Sequence, residues 1–397
     1  MSKKFRNWSP DQIWLLPPSP RDWLDDGHLV YFLLDVVGEM DLSPFFERYR
    51  NPSAGQSPFH PQMMVTLLLY AYCSGVFSSR KIQSRCHVDV AFRTIVGEDI
   101  PDFRTICEFR KNNLQHMESL FVQTLQVCAA AGLVKLGRVA LDGAKVKANA
   151  SRHKAMSYDR MKEEEARLQQ EIVELLAKAD AADTSDDQQF GDRHGDELPD
   201  ELARRESRLK KIREAREALE AAAKQKAEDH VEKMEAEGRR HRTDPEDAVP
   251  DDKAQYNFTD PESKIMKTSN KGFDQCGNAQ VIATEDQVIV AADVTNQAND
   301  VRQVQPMIEK MQSNFEAANV EGEVNEFLAD AGYFSEDNVT AVEAAGLDPF
   351  IATQRLKHHE KIPDCPRGRA PNDLSPKQRM ARKLRTKKGR ETYCKRK

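Results

Sequence analysis

The 397-residue chain has no pair of cysteines at C-x-x-C spacing: Cys73, Cys86, Cys107, Cys128, Cys276, Cys365 and Cys394 stand apart. That pattern excludes a disulfide framework and the strong zinc motifs, and the seven read as reduced thiols. No apolar run approaches the roughly 18 residues of a spanning helix, and the opening Met-Ser-Lys-Lys-Phe-Arg-Asn-Trp lacks an apolar signal core. A soluble, cytoplasmic protein with no membrane partner is expected. P-loop, Rossmann and G-x-S-x-G signatures are also missing, which removes nucleotide-driven and serine-hydrolase classes. Charged residues reach 31% and mean hydropathy is −0.70, so part of the chain must be mostly solvated. The length suffices for two or three compact units of roughly 100 to 200 residues each.

Charge is unevenly placed. Between Arg355 and Lys397 sixteen Lys and Arg face four acidic residues, a local +12 inside a chain of net −6. Residues 355–397 therefore read as a basic tail that contacts a polyanion, with Arg382, Lys383, Arg385, Lys387 and Lys388 as its phosphate contacts. The mixture Cys365-Pro-Arg-Gly-Arg-Ala-Pro predicts disorder when free.

Residues 1–135 carry apolar positions at three and four spacing, broken by Pro44, Pro58, Pro61 and Pro101, and predict a helical domain. Ser78 opens a short basic helix with Arg80, Lys81 and Arg85, and Asp102 opens another with Arg104 and Arg110. This pairing suits a helix-turn-helix DNA reader; solvated helix faces have the same composition. At Arg138-Val-Ala-Leu-Asp-Gly-Ala-Lys-Val-Lys the pattern turns to a strand, and residues 136–157 form the first part of a second domain. From 158 to 245 the chain is rich in Glu, Lys, Arg and Ala, with Met161, Leu168, Ile172 and Leu175 on one stripe and Leu202, Leu209, Ile212 and Leu219 on another. The stripes predict an inserted coiled-coil-like hairpin of two long antiparallel helices joined by an acidic connector that begins near Asp180. Over 246–354 a hairpin around Glu285-Asp286-Gln287, a helix from Asp300, a strand at Phe327, a helix from Ser335 and a strand at Pro349 complete a mixed α/β sheet.

Two carboxylates recur in one local setting, Val139-Ala-Leu-Asp142-Gly143 and Phe327-Leu-Ala-Asp330-Ala-Gly332. Each ends a short apolar run and is followed by glycine, which lets a phosphate or hydrated cation approach the backbone. If the strands adjoin, the pair suits a divalent cation and phosphoryl transfer; an Asp at a strand end also serves as a plain Asx-turn. Lys145 and Lys147 follow Asp142 closely, placed for a DNA phosphate or for a solvated strand edge. Asp300 is expected to cap its helix.

The runs Leu141-Asp-Gly-Ala-Lys-Val-Lys-Ala-Asn-Ala-Ser151 and Leu328-Ala-Asp-Ala-Gly-Tyr-Phe-Ser335, with Phe59-His-Pro and Phe103-Arg-Thr-Ile-Cys-Glu-Phe-Arg, resemble bacterial insertion-sequence transposases of the DDE class. The resemblance implies a ribonuclease H-like core in which Asp142 and Asp330 hold Mg²⁺, or Mn²⁺ in its place. It further implies hydrolysis of terminal phosphodiesters followed by strand transfer, with DNA ends and target DNA as partners and a homo-oligomer assembled on DNA. The family's third acidic residue is a Glu placed after a Tyr-x-x-Arg signature. Tyr393-Cys-Lys-Arg396 resembles that signature, while Glu336, Glu343 and Glu391 do not match the Glu. The alternative expectation is a truncated, catalytically inactive DNA-binding remnant or regulator of a full-length transposase.

Overall fold

The computed structural model describes residues 22–47, 57–190, 200–236, 244–268, 272–354 and 373–396, with isolated positions at 19, 49, 364–366, 368 and 371. Two units form, 1–134 with 316–320, and 135–315 with 321–397.

The first unit is helical: α1 (Leu29–Glu39), α2 (Ser43–Glu47), α3 (Pro61–Cys73), α4 (Ser79–Val88), α5 (Val90–Val96), α6 (Phe103–Asn112) and α7 (Met117–Ala130). Pro61, with no N–H to lose, occupies the first turn of α3. That helix is itself largely buried, through Met64, Leu67, Leu68 and Tyr70 among others, so it forms the axis of the unit. Val30, Phe45, Ile82, Phe92 and Ile106 close around it. Asp102 caps α6 by accepting from the Arg104 N–H at 2.9 Å. Ser78 differs from expectation: it stands at the N-cap of α4 but its side chain makes no cap hydrogen bond.

The second unit begins with β1 (Arg138–Lys147) and β2 (Ala155–Ser157), then α8 (Tyr158–Phe190) and α9 (Asp200–Ala236). It continues through β3 (Gln255–Asn257), β4 (Lys264–Lys267), β5 (Phe273–Thr284), β6 (Ile289–Thr295) and α10 (Val304–Ala317). β7 (Glu326–Ala329), α11 (Glu336–Ala344), β8 (Asp348–Ile351), α12 (Pro376–Arg385) and α13 (Lys387–Cys394) complete it. β5 runs antiparallel to β1, with β4 and β6 along its other edge; β7 and then β8 extend the sheet in parallel beyond β1. Strands buried on both faces read as continuous apolar runs, and Phe327, Leu328 and Ala329 of β7 are fully buried. α10 supplies Val304, Met307, Ile308 and Met311 to the core, and α11 supplies Val339 and Val342.

The inserted helices form a hairpin of their own. Tyr158 meets Glu220, Glu165 meets Arg213 and Arg216, and Glu171 meets Arg205, so one helix advances as the other recedes. Met161, Leu168, Leu209, Ile212, Ala215 and Leu219 are buried between them, and the short β2–β3 ladder lies at the base. The expected connector is corrected at its start: α8 continues through the acidic stretch from Asp180 to Phe190, which holds the helix-favouring Ala181 and Ala182 and no Gly or Pro, the residues that break a helix. Residues 191–199 and the side chains of Leu175 and Leu202 lie outside the described residues.

The basic tail is corrected more strongly. Ser375 and Gln378 form a reciprocal capping box at α12, Pro376 fills the first turn, and Met380 is buried. Lys383 is bonded to Asp348 and, at 2.7 Å, to the Pro349 carbonyl, with its ammonium 4.0 Å from the Phe350 ring centre. Thr386 caps α13 through the Gly389 N–H, and Gly389 lies so close to the Lys383 carbonyl that a side chain has no room. Cationic composition hid this fold because the anchors are few. The earlier tail residues 355–363 lie outside the described residues.

Candidate active site

Leu141 of β1 and Ala329 of β7 are register partners in a parallel pair. Asp142 and Asp330 are the next residues along, each directly after the last paired position of two strands spaced about 4.8 Å apart. Asp142 still pairs with Val281 of β5, so its backbone is held on that edge, while its pairing with β7 has ended one residue earlier. Each aspartate also makes the local turn contact foreseen as its plain alternative: Oδ1 of Asp142 accepts from the Gly143 N–H at 2.9 Å, and Oδ1 of Asp330 from the Gly332 N–H at 2.8 Å. The side chain of Asp142 is 72% exposed, and its Oδ2 lies 3.8 Å from Nη1 of Arg396.

α13 delivers that arginine. The Arg396 guanidinium carbon is 5.6 Å from the Tyr393 ring centre, and the Tyr-x-x-Arg segment thus sits over the first aspartate. Burial pushes the Tyr393 phenol above its ordinary value; Arg396 opposes this, while the charges of Asp330 and Asp142 add to it. The Tyr393 phenol thus lies within electrostatic reach of both carboxylates.

Beneath the pair lies a polar ladder that the sequence reading did not single out. Oδ1 of Asp300 accepts from Lys145 Nζ at 2.8 Å, from Asn278 Nδ2 at 2.8 Å and from Gln280 Nε2 at 3.1 Å. Gln280 also donates to Asn278 Oδ1 at 2.9 Å and accepts from Tyr333 Oη at 2.5 Å. Burial holds the Tyr333 phenol far above its ordinary value, reinforced by Asp300, Asp142 and Asp330 in that order. Two buried amides alternating inside an apolar strand, Asn278-Ala-Gln280, were the available signal.

Several expectations change here. Asn299, not Asp300, caps the 3₁₀ turn Asp300–Gln303, through the Val301 N–H. Gly143 makes room for the chain's own Gln280 and Tyr333, which occupy the space a Cβ would take. Lys145 is 19% exposed and paired with Asp300, and Lys147 lies 3.2 Å from Asp274, so both cations begin with carboxylate partners.

Among the helical-unit cations, Arg110 reaches the Tyr72 hydroxyl, the Phe77 carbonyl and Ser79 Oγ, each at 3.2 Å, and ties α3, α4 and α6 together. Arg80 stacks on Phe103 at 3.9 Å, with Arg104 on the same ring at 5.5 Å, and Arg85 pairs with Asp89 at 3.6 Å. Lys81 is exposed on α4. In the C-terminal helices Arg382 bonds the Gly368 carbonyl and Arg385 the Ala381 carbonyl, while Lys387 and Lys388 are exposed at the start of α13.

Two adjoining carboxylates fit a hard divalent cation, which takes oxygen ligands, keeps several waters and binds through one or two carboxylates plus phosphate. Among the described residues no group of three His, Cys, Asp or Glu is arranged to hold a metal. No helix among them is long and apolar enough to cross a membrane.

Comparison with protein families gives two matches: a transposase domain (DUF772) over residues 18–112 and a transposase DDE domain over residues 240–397. The second span includes Asp330, the Tyr393–Arg396 segment and most of the sheet; Asp142 lies outside both. No curated protein and no solved structure matches the chain. The strand order, with two parallel strands beyond a central strand and antiparallel ones before it, is that of a ribonuclease H-like core. A transposase domain is thus matched in each unit, and together the two matches support an insertion-sequence transposase of the DDE class.

Proposed function

We propose that this transposase binds the terminal inverted repeats of its element, hydrolyses the terminal phosphodiesters and joins the freed 3′ ends to target DNA. The observation that carries the reading is the juxtaposition of Asp142 and Asp330 on adjoining strands beneath Arg396. DDE transposases use divalent metal ions, and a bound Mg²⁺ or Mn²⁺ supplies Lewis-acid activation of water and charge neutralisation at the scissile phosphate. Asp142 and Asp330 are the residues that hold it.

The remaining work belongs to the chain itself. Asp142, open to solvent, admits a nucleic-acid backbone to the strand end. Arg396 places a fixed cation beside it, where a phosphate oxygen is oriented by charge-assisted hydrogen bonds. Tyr393 keeps its proton on Oη at neutral pH and remains a donor at the same point. Arg80, Lys81, Arg85 and Arg104 of the helical unit, with Arg382, Arg385, Lys387 and Lys388 of the C-terminal helices, supply phosphate contacts. Lys145, Lys147, Arg110 and Lys383 act through the protein contacts described above. Assembly on DNA as a homo-oligomer and a cytoplasmic, nucleoid-associated location complete the reading.

The test is metal-dependent nicking of donor DNA bearing the element's ends. Asp142→Asn and Asp330→Asn are expected to lose more than about 100-fold in cleavage, exceeding the usual effect of residues behind the ligands, while DNA affinity is retained. Equal cleavage by Asp142→Asn would overturn the assignment. Binding without cleavage by the parent chain would identify the alternative, a DNA-binding regulator.

A further inference from the structure

The two aspartates lie 188 positions apart in sequence numbering, and a shared ion demands that their oxygens be placed to a fraction of an ångström. β1 and β7 pair over four residues and the pairing ends just before the carboxylates. Backbone register alone thus leaves the functional ends of both strands without a ladder bond between them. Beyond this point the connection is made by side chains.

Lys145 is the third residue after Asp142, and Tyr333 is the third residue after Asp330. Lys145 Nζ reaches Asp300 Oδ1 at 2.8 Å; the same oxygen takes Gln280 Nε2 at 3.1 Å; Gln280 Oε1 takes the Tyr333 hydroxyl at 2.5 Å. Asn278 closes the ladder, donating to Asp300 Oδ1 and to the Gln297 carbonyl while accepting from Gln280. Every amide hydrogen-bonding group of Gln280 and Asn278 is thereby used, and both residues are almost wholly buried. A fully satisfied buried network of this kind has one low-energy arrangement. Gln280 and Tyr333 fill the space that a Cβ on Gly143 would need, so the ladder lies against the residue that follows Asp142.

We propose that Lys145, Asp300, Gln280 and Tyr333 are positioning residues that set the separation of Asp142 and Asp330, and so the affinity of the pair for a divalent cation. The inference rests on the proposed role of the two aspartates. Asp300 takes its three bonds on one oxygen and acts as the central anchor. Lys145 compensates its charge, so the ladder brings an anchored carboxylate close to the site without adding an uncompensated negative charge there.

The experiment titrates the full chain with Mn²⁺, reading free Mn²⁺ by electron paramagnetic resonance, with circular dichroism melting of each variant alongside. Tyr333→Phe keeps the ring and removes the hydroxyl, Asp300→Asn removes the anchor's charge, and Val342→Ala is a packing control in the same unit. Tyr333→Phe and Asp300→Asn are expected to weaken Mn²⁺ binding about 10-fold or more at temperatures where each is folded. Val342→Ala lowers the melting temperature and leaves Mn²⁺ affinity unchanged. Should Asp300→Asn fail to fold, Tyr333→Phe carries the test. Unchanged Mn²⁺ affinity in Tyr333→Phe, with binding still abolished by Asp142→Asn, would overturn the positioning role and leave the aspartate assignment standing. Mn²⁺ affinity untouched by Asp142→Asn would remove both.

Discussion

Gly143 stands opposite Gln280 in the β1–β5 register, and a Cβ added to it would lie 2.8 Å from Tyr333 Oη and 2.9 Å from Gln280 Cδ. The residue after the first aspartate is therefore glycine for space. Gly143→Ala is expected to cost about 1–3 kcal/mol through overpacking, seen as a lower midpoint in urea unfolding. It should also lower cleavage, since relief of the clash moves Gln280 or Tyr333. A variant as stable and as active as the parent would show that the ladder yields freely.

The helical unit should lose stability in alkali through Cys86. Burial pushes its thiol up to about 11 from an ordinary 9.0, with a smaller contribution from the charge of Asp89. A folded-state value above the unfolded one means that the stability is fully present below pH 9 and is lost as pH rises through 11. About two units correspond to about 2–3 kcal/mol. Urea unfolding at pH 8 and pH 11 measures the loss, and Cys86→Ala should flatten it; an identical pH slope in that variant would assign the effect elsewhere.

The inserted hairpin carries its own core, so it should loosen separately from the sheet. Ile212→Ala, at a fully buried position between α8 and α9, is expected to cost about 2–5 kcal/mol locally. Hydrogen exchange should quicken at amides of α8 and α9 while β1 and β7 keep their protection. Uniform acceleration across the sheet would make the hairpin integral to it.

The C-terminal helices divide their cations between anchoring and exposure, and salt titration separates the two. Lys387→Ala and Lys388→Ala are each expected to reduce the slope of log DNA affinity against log salt by about 1, with stability unchanged. Lys383→Ala should instead lower stability by about 0.5–1.5 kcal/mol, because it removes the hydrogen bond to the Pro349 carbonyl and the contact with Phe350, while the half-exposed Asp348 carboxylate is taken up by water. Equal salt slopes in all three variants and the parent would remove this face from the DNA contact.

The central strands of the sheet and the helices of both helical regions were legible in the sequence, because apolar periodicity follows directly from which face must leave water; the edge strand β4 and the short β2–β3 ladder were not. The strand at Val139, the stripes through Met161 and Ile212, and the two Asp-Gly settings all announce themselves in this way. Tyr393 and Arg396 were legible as a signature without a place. The docking of α12 and α13 was not, since Met380, Lys383 and Gly389 act through single contacts that leave no period in a strongly basic segment.

What the amino-acid sequence determined by itself is local: which residues alternate, which turn, and which carboxylates end buried strands. The tertiary structure alone decided which of those ends meet. Parallel pairing of β1 with β7 sets Asp142 beside Asp330, and Asp300 joins Lys145 to Gln280 and, through it, Tyr333. Contacts between residues distant in the chain are chosen by the packing of whole elements and the need to satisfy every buried polar group, and neither quantity has a value until the elements are assembled.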